Sequence, residues 1–313
     1  LKNHVTAGDI INNSASIYFD FNLPVKTNVH KTLIDSQQPT ITSFSPASAA
    51  SGDTVTITGA NFTGASAVSF GGIAANSFTV NSSTAITAVV GSGASGNLSI
   101  TTPGGTATIG GFIFIPGPAI TSFTPASAAT GTIVTITGTN LTGATAVSFG
   151  GTLSTSFTVN SPTSITATVG TGSTGEISIT TPGGTATNVG FTYIPSPTIT
   201  SFSPVSGGTG TIITITGTDF TGASDASFGG TAPNSFTVNS ATNIAAVVGT
   251  GASGSVTVTT PGGTATLSGF NYTVVTAIDP VSGSRHGIRL YPNPTGGNLT
   301  IDTLKLLDNW EAL

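Results

Sequence analysis

The residues able to do chemistry are few in this 313-residue chain. Between Pro39 and Val274 the only carboxylates are Asp53, Glu176, Asp219 and Asp225, and there is no Lys, Arg or His. Asp219 and Asp225 share the stretch TDFTGASD. Their natural chemistry would be ligation of Ca²⁺, which takes about six to eight oxygens and usually several acids. Two carboxylates fall short of that set, so both are read as solvated loop groups that aid solubility. Glu176 is read as a lone, solvent-facing residue of a hairpin turn. Ser and Thr abound, but a hydroxyl becomes a nucleophile only beside a base, and no His lies in this region to serve. His4 and His30 lie outside it, too far apart and with too few partners for a metal centre. No catalytic, cofactor-binding or metal-binding residue is assigned, and the expectation is a non-enzyme without cofactors.

Composition narrows the partners. Charged residues make up 5% of the chain and the formal net charge is −5. Nucleic-acid binding needs cations to neutralise phosphates, and a basic membrane-surface patch needs them too, so neither is expected here. No apolar run approaches the roughly 20 residues of a membrane span, so no membrane insertion is expected. The 17 Phe, with Val or Ile in every short run, argue against disorder. With no Cys there is neither a disulfide framework nor a thiolate site. A chain without Met that opens at Leu1 and stops at Leu313 reads as an internal piece of a longer protein.

The elements that carry these residues repeat. PTITSFSP at Pro39 returns as PAITSFTP at Pro118 and PTITSFSP at Pro197, an interval of 79 residues. Gly59, Gly138 and Gly217 keep the same interval, as do Phe70, Phe149 and Phe228, and Pro103, Pro182 and Pro261. Within a unit the apolar period is 2. Val55 and Ile57 alternate with Thr54, Thr56 and Thr58, and Val68/Phe70, Phe78/Val80, Leu98/Ile100 and Phe112/Phe114 follow suit. Gly pairs, Asn and Pro punctuate the runs as in an antiparallel sandwich, giving about seven strands per unit. TPGGT at Thr102–Thr106 suits a type II turn with Pro then Gly at its centre. The Thr-x-Thr-x-Thr strand could organise water, but one such strand in a twisted sandwich is better read as a solvated face. IPGP at Ile115–Pro118 and IPSP at Ile194–Pro197 predict stiff, extended linkers.

On these motifs, VTITGANFTGASAVSFGG (Val55–Gly72) followed by ITTPGGTAT (Ile100–Thr108), each unit resembles the IPT/TIG immunoglobulin-like domain. Leu141 replaces Phe62 in the second copy and Asp219 replaces Asn61 in the third. The resemblance implies an all-β fold: three tandem early-set immunoglobulin-like sandwiches without the disulfide, in a semi-rigid rod flanked by partial β-domains. The expected units are 39–116, 117–195 and 196–275. The copies differ most at Ile73–Asn76, Thr152–Thr155 and Thr231–Asn234, read as end loops of the kind that bind ligands or simply drift.

The two ends differ from the repeats. Residues 1–35 hold GDIINNSASIYFDFNLPVKTNVHKT, in which Ile17, Phe19 and Phe21 alternate with polar residues. This resembles the closing strands of a β-sandwich repeat common in bacterial surface proteins. After a linker at 276–287, residues 288–313 hold IRLYPNPTGGNLTID. It resembles the start of the type A C-terminal sorting domain of the type IX secretion system, matched by Leu290, Tyr291, Pro292, Asn293, Pro294, Gly297, Leu299 and Ile301. That resemblance implies export by the type IX secretion machinery to the surface or surroundings of a Gram-negative bacterium. Asp53-Thr54-Val55 and Asp302-Thr303-Leu304 fit the short glycosylation triplets of such proteins.

The expected function is a non-catalytic stalk or spacer of a secreted or cell-surface protein. The alternatives are an adhesive or carbohydrate-binding module, with surface glycans or proteins as partners, and the accessory region of an extracellular enzyme.

Overall fold

The computed structural model describes residues 10–13, 16–17, 25–26, 30–33 and 37–274. The chain divides into two compact units, Leu1–Ile194 and Pro195–Leu313. The first holds two short N-terminal ladders and two β-sandwich modules; the second holds a third module. In the N-terminal ladders, Ile10–Asn13 pairs antiparallel with His30–Leu33, and Ser16–Ile17 with Val25–Lys26. Phe19 and Phe21, expected on the strand of Ile17, lie outside the described residues.

The first module shows how the sequence builds a sandwich. One sheet has four strands in the order Ser77–Ser82, Ala85–Val89, Thr54–Ala60, Thr40–Ser45. The other has five, in the order Ser48–Ala50, Gly105–Ile115, Gly96–Thr102, Ala67–Phe70, Ile73–Ala74. Alternation puts one set of side chains between the sheets. Val55, Ile57, Ile86 and Ala88 from the first sheet meet Val68, Phe70, Leu98, Ile100 and Phe112 from the second, all buried. Burying one such side chain is worth about 1.5–3 kcal/mol, so the two-residue period is the main force that fixes the register. Phe70 and Phe112 pack with ring centroids 4.7 Å apart, and Phe149–Phe191 and Phe228–Phe270 repeat that contact at 5.0 and 4.8 Å.

The strand count exceeds the seven expected. Modules one and two each have nine strands and module three has eight. One addition arises where the first strand breaks at Pro46, after a cis Ser45–Pro46 peptide, and its second half joins the other sheet. There Ser48–Ala50 runs parallel to Ile113–Ile115. The other arises at the Gly pair: Gly71 and Gly72 take φ of 58° and 84°, the two positive angles of a type I′ turn. They fold Ile73–Ala74 back onto Ser69–Phe70. The TPGG turn also differs from expectation. Positive φ falls on the second glycine, Gly105 at 127°, Gly184 at 125° and Gly263 at 129°, and not on the central Gly104, Gly183 or Gly262. A type II turn would need the reverse. The Thr102 hydroxyl instead accepts from the Gly104 amide at 3.2 Å, and Thr181–Gly183 and Thr260–Gly262 repeat the bond at the same distance.

Among the described residues no helix is long and apolar enough to cross a membrane.

Candidate functional site

The four acids are not brought together. Asp53 is exposed, and its carboxylate accepts from the Ala50 amide at 2.8 Å, closing a local turn. Glu176 is exposed but stands in the strand Gly175–Thr181 at a register shift, not in a hairpin turn. Asp225 opens the strand Asp225–Phe228 with its side chain exposed, and Asp219 is half-buried with φ of 58°. Among the described residues no three His, Asp or Glu gather closely enough to hold a metal ion. His30 lies on a described strand; His4 lies outside the described residues, as does the whole sorting motif from Leu290 to Ile301.

Two of the three segments read as end loops begin as sheet-edge strands, and the third, at Thr231, makes a single bridge. Ile73–Ala74 and Thr152–Leu153 pair as the outermost strand of the five-stranded sheet, so the copies vary along an edge. Ile73 and Leu153 stay exposed there, at 39% and 65%. Hydroxyls also extend further than one strand. In the second module Thr158, Thr166, Thr135 and Thr124 lie in register across all four strands of one sheet. Adjacent strands twist by roughly 20–25°, so this row is not flat.

A more constructed feature lies where each module receives the chain entering it. Asn61, Asn140 and Asp219 occupy equivalent positions with φ of 61°, 56° and 58°, the left-handed conformation that Asn and Asp tolerate best. That conformation turns the side chain toward the entering segment. Asn61 Nδ2 donates to the Gln38 carbonyl at 2.9 Å, and Asn140 Nδ2 donates to the Gly117 carbonyl at 2.8 Å. Asp219 has no donor to offer, and in the third module Ser196 Oγ donates to the Gly262 carbonyl at 2.9 Å. The facing wall is the TPGG turn. A Cβ on Gly183 would lie 2.1 Å from the Pro116 carbonyl oxygen, and one on Gly262 would lie 1.9 Å from that of Pro195. The central glycine is therefore required for close approach of a second backbone and not for a positive φ.

In the first module this seat holds a pocket of about 230 Å³ lined by Gln37, Asn61, Thr63, Ser83, Thr102, Pro103 and Gly104. Equivalent positions in the second module carry Pro116 for Gln37 and Pro162 for Ser83. The lining carries no charge: the amides of Gln37 and Asn61 and the hydroxyls of Thr63, Ser83 and Thr102 stand beside the apolar ring of Pro103, so it can exchange hydrogen bonds with neutral polar groups. The sequence reading missed Asn61, Asn140, Gly183 and Gly262. The available signal was the doubled glycine, since a single positive φ accounts for only one of the two.

Family comparison matches the IPT/TIG domain to residues 39–112, 118–193 and 197–286, and a domain of unknown function (DUF7619) to residues 1–33. A comparison with curated proteins finds no match. Similar solved structures include a crystal structure with xylogluco-oligosaccharide, at 22% identity and a TM-score of 0.38, covering 73% of this chain and 59% of that one. The plexin A4 extracellular region matches at 24% and 0.31, covering 68% of this chain and 21% of that one. SGBP-B from a xyloglucan utilization locus of Bacteroides uniformis matches at 19% and 0.26, covering 61% and 63%. The chain thus spans about three-fifths of the first of these proteins. At such identities and scores the likeness carries nothing about ligand or activity.

Proposed function

The chain belongs to the IPT/TIG domain family, through three tandem copies, and from that premise we propose that it is a non-catalytic spacer within a secreted or surface-exposed bacterial protein. The observation that carries this reading is repetition. The same sandwich recurs three times with the same core, and each copy devotes its most constructed polar feature to the chain that enters it. Residues 1–35, 276–287 and 288–313 are, on this reading, the end of a preceding β-sandwich repeat, a linker and the start of a sorting domain. Export by type IX secretion machinery rests on Leu290–Pro294, Gly297, Leu299 and Ile301. In a Gram-negative host with that machinery, a full-length protein carrying Tyr291→Ala and Pro292→Ala should stay in the periplasm. Unchanged release would remove the export part of the reading.

The uncharged pocket at Gln37, Asn61, Ser83 and Pro103 favours one second reading, binding of surface glycans or other polyols. Calorimetric titration of the chain with soluble plant and bacterial oligosaccharides separates the two. A spacer gives no saturable heat; saturable heat abolished by Ser83→Pro, the residue found in the second module, would establish the binding reading instead.

A further inference from the structure

We propose that each interdomain linker is a fixed part of the module that follows it, laid against that module's TPGG turn and closed by one side-chain bond, from Asn140 in the second module and from Ser196 in the third. The arrangement occurs at both linkers of the chain. The strand Gly105–Ile115 keeps its pairing up to its last residue, where Ile115 lies opposite Ala50. The next residue, Pro116, already has its carbonyl against Gly183 of the second module, and Gly117 is bonded by Asn140. The second linker repeats the arrangement by different means. Ile194 lies opposite Ala129 in the second module's last strand. Pro195 has its carbonyl against Gly262, and Ser196 bonds the Gly262 carbonyl.

The physical consequence is directional. Pro116 and Pro118 fix two φ angles, but proline stiffness alone leaves ψ free and does not choose a side. The seat chooses. A backbone carbonyl can lie this close only to a residue that has no Cβ, and the side-chain bond of Asn140 or Ser196 holds the linker there. A module therefore controls the linker before it and leaves the linker after it to its successor. This goes beyond the spacer reading and holds whether or not that reading does.

Backbone NMR relaxation on the whole chain tests it at Gly117 and Ser196, the only linker residues between the bracketing prolines. In the unaltered chain both should show order parameters near the rigid value of about 0.85. Gly183→Ala should drop Gly117 below about 0.6 and leave Ser196 unchanged, and Gly262→Ala should do the opposite. Gly131→Ala is the control for general destabilisation. Gly131 has φ of 84° and open space around it, so the change strains the second module without touching the seat. It should leave Gly117 rigid. If Gly183→Ala unfolds the second module, Asn140→Asp takes its place, because Asp219 shows that the position accepts Asp. It should lower the Gly117 order parameter by a smaller step and leave Ser196 alone. A Gly117 already mobile in the unaltered chain, or one unmoved by both seat variants, would overturn the proposal. So would a loss of order at Gly117 in Gly131→Ala equal to that in Gly183→Ala.

Discussion

In the second module Thr152–Leu153 forms a fifth strand on one sheet, whereas the third module stops at a single bridge between Phe228 and Thr231. The residue responsible is Pro233. In modules one and two the equivalent amides, of Ala75 and Ser154, donate to the Val68 and Val147 carbonyls at 2.8 and 2.9 Å. Proline has no amide proton, so the third module cannot close that bond. The linker seats differ by the same logic. Asn140 donates to its linker, Asp219 cannot, and Ser196 supplies a bond from the opposite side. The cores, by contrast, keep apolar side chains at equivalent positions, though the residues vary, as in Leu141 against Phe220, Val147 against Ala226 and Ile177 against Val256. Cores constrain shape from all sides, while edges and seats need only enough hydrogen bonds, which different residues can supply.

The strongest way to break this comparison is at the glycine beneath the first strand. A Cβ on Gly138 would lie 1.9 Å from the Ala119 carbonyl oxygen. On Gly217 it would lie 1.8 Å from that of Thr198 and also 2.5 Å from the Phe220 ring. Gly217→Ala should cost about 3 kcal/mol or more, and Gly138→Ala somewhat less because Leu141 leaves more room. Urea unfolding followed by exchange within each module measures both; equal losses would show that the ring plays no part. Leu141→Phe, which copies the third module into the second, should change stability by less than about 1.5 kcal/mol.

Exchanging the edge residues comes next. Ser154→Pro should cost about 1 kcal/mol by deleting the bond to Val147 and should erase the Thr152–Leu153 pairing, seen as loss of amide protection there. Pro233→Ser should create a protected amide at 233. Its net gain should be near zero, because the bond is offset by about 0.4–1 kcal/mol of lost proline rigidity in the unfolded chain.

The smallest loss belongs to the last strand. Tyr193 and Tyr272 exchange hydroxyl bonds with Thr130 and Thr209 at 2.8 and 2.9 Å, while the first module has Phe114 at that place. Tyr193→Phe and Tyr272→Phe should each cost about 0.5–1 kcal/mol or less in thermal unfolding, since the pairs are exposed.

Much of the fold was legible. Val134, Ile136, Ile177 and Ile179 are all buried, as the two-residue alternation requires, because on a strand side-chain direction is a local property. The acids were legible only in part: Asp53 and Asp225 are exposed, whereas Glu176 stands in a strand and Asp219 is half-buried. The strand count, the turn type and the edge were not. Ser48–Ala50 and Ile73–Ala74 are too short to show a period, and their strand character comes from the neighbour they pair with. The seat was the least legible part, since Gly183 looks like any turn glycine until Pro116 is laid against it.

By itself the sequence determined the three-fold repeat, the all-β class and the faces of the longer strands, because residue types at a spacing of two act within a few ångströms of their own backbone. The tertiary structure decided which sheet each short strand joins, how far each edge extends and which module holds each linker. Those outcomes depend on contacts between residues far apart in the chain, such as Pro116 with Gly183 and Asn140 with Gly117, and only the folded backbone brings them within reach.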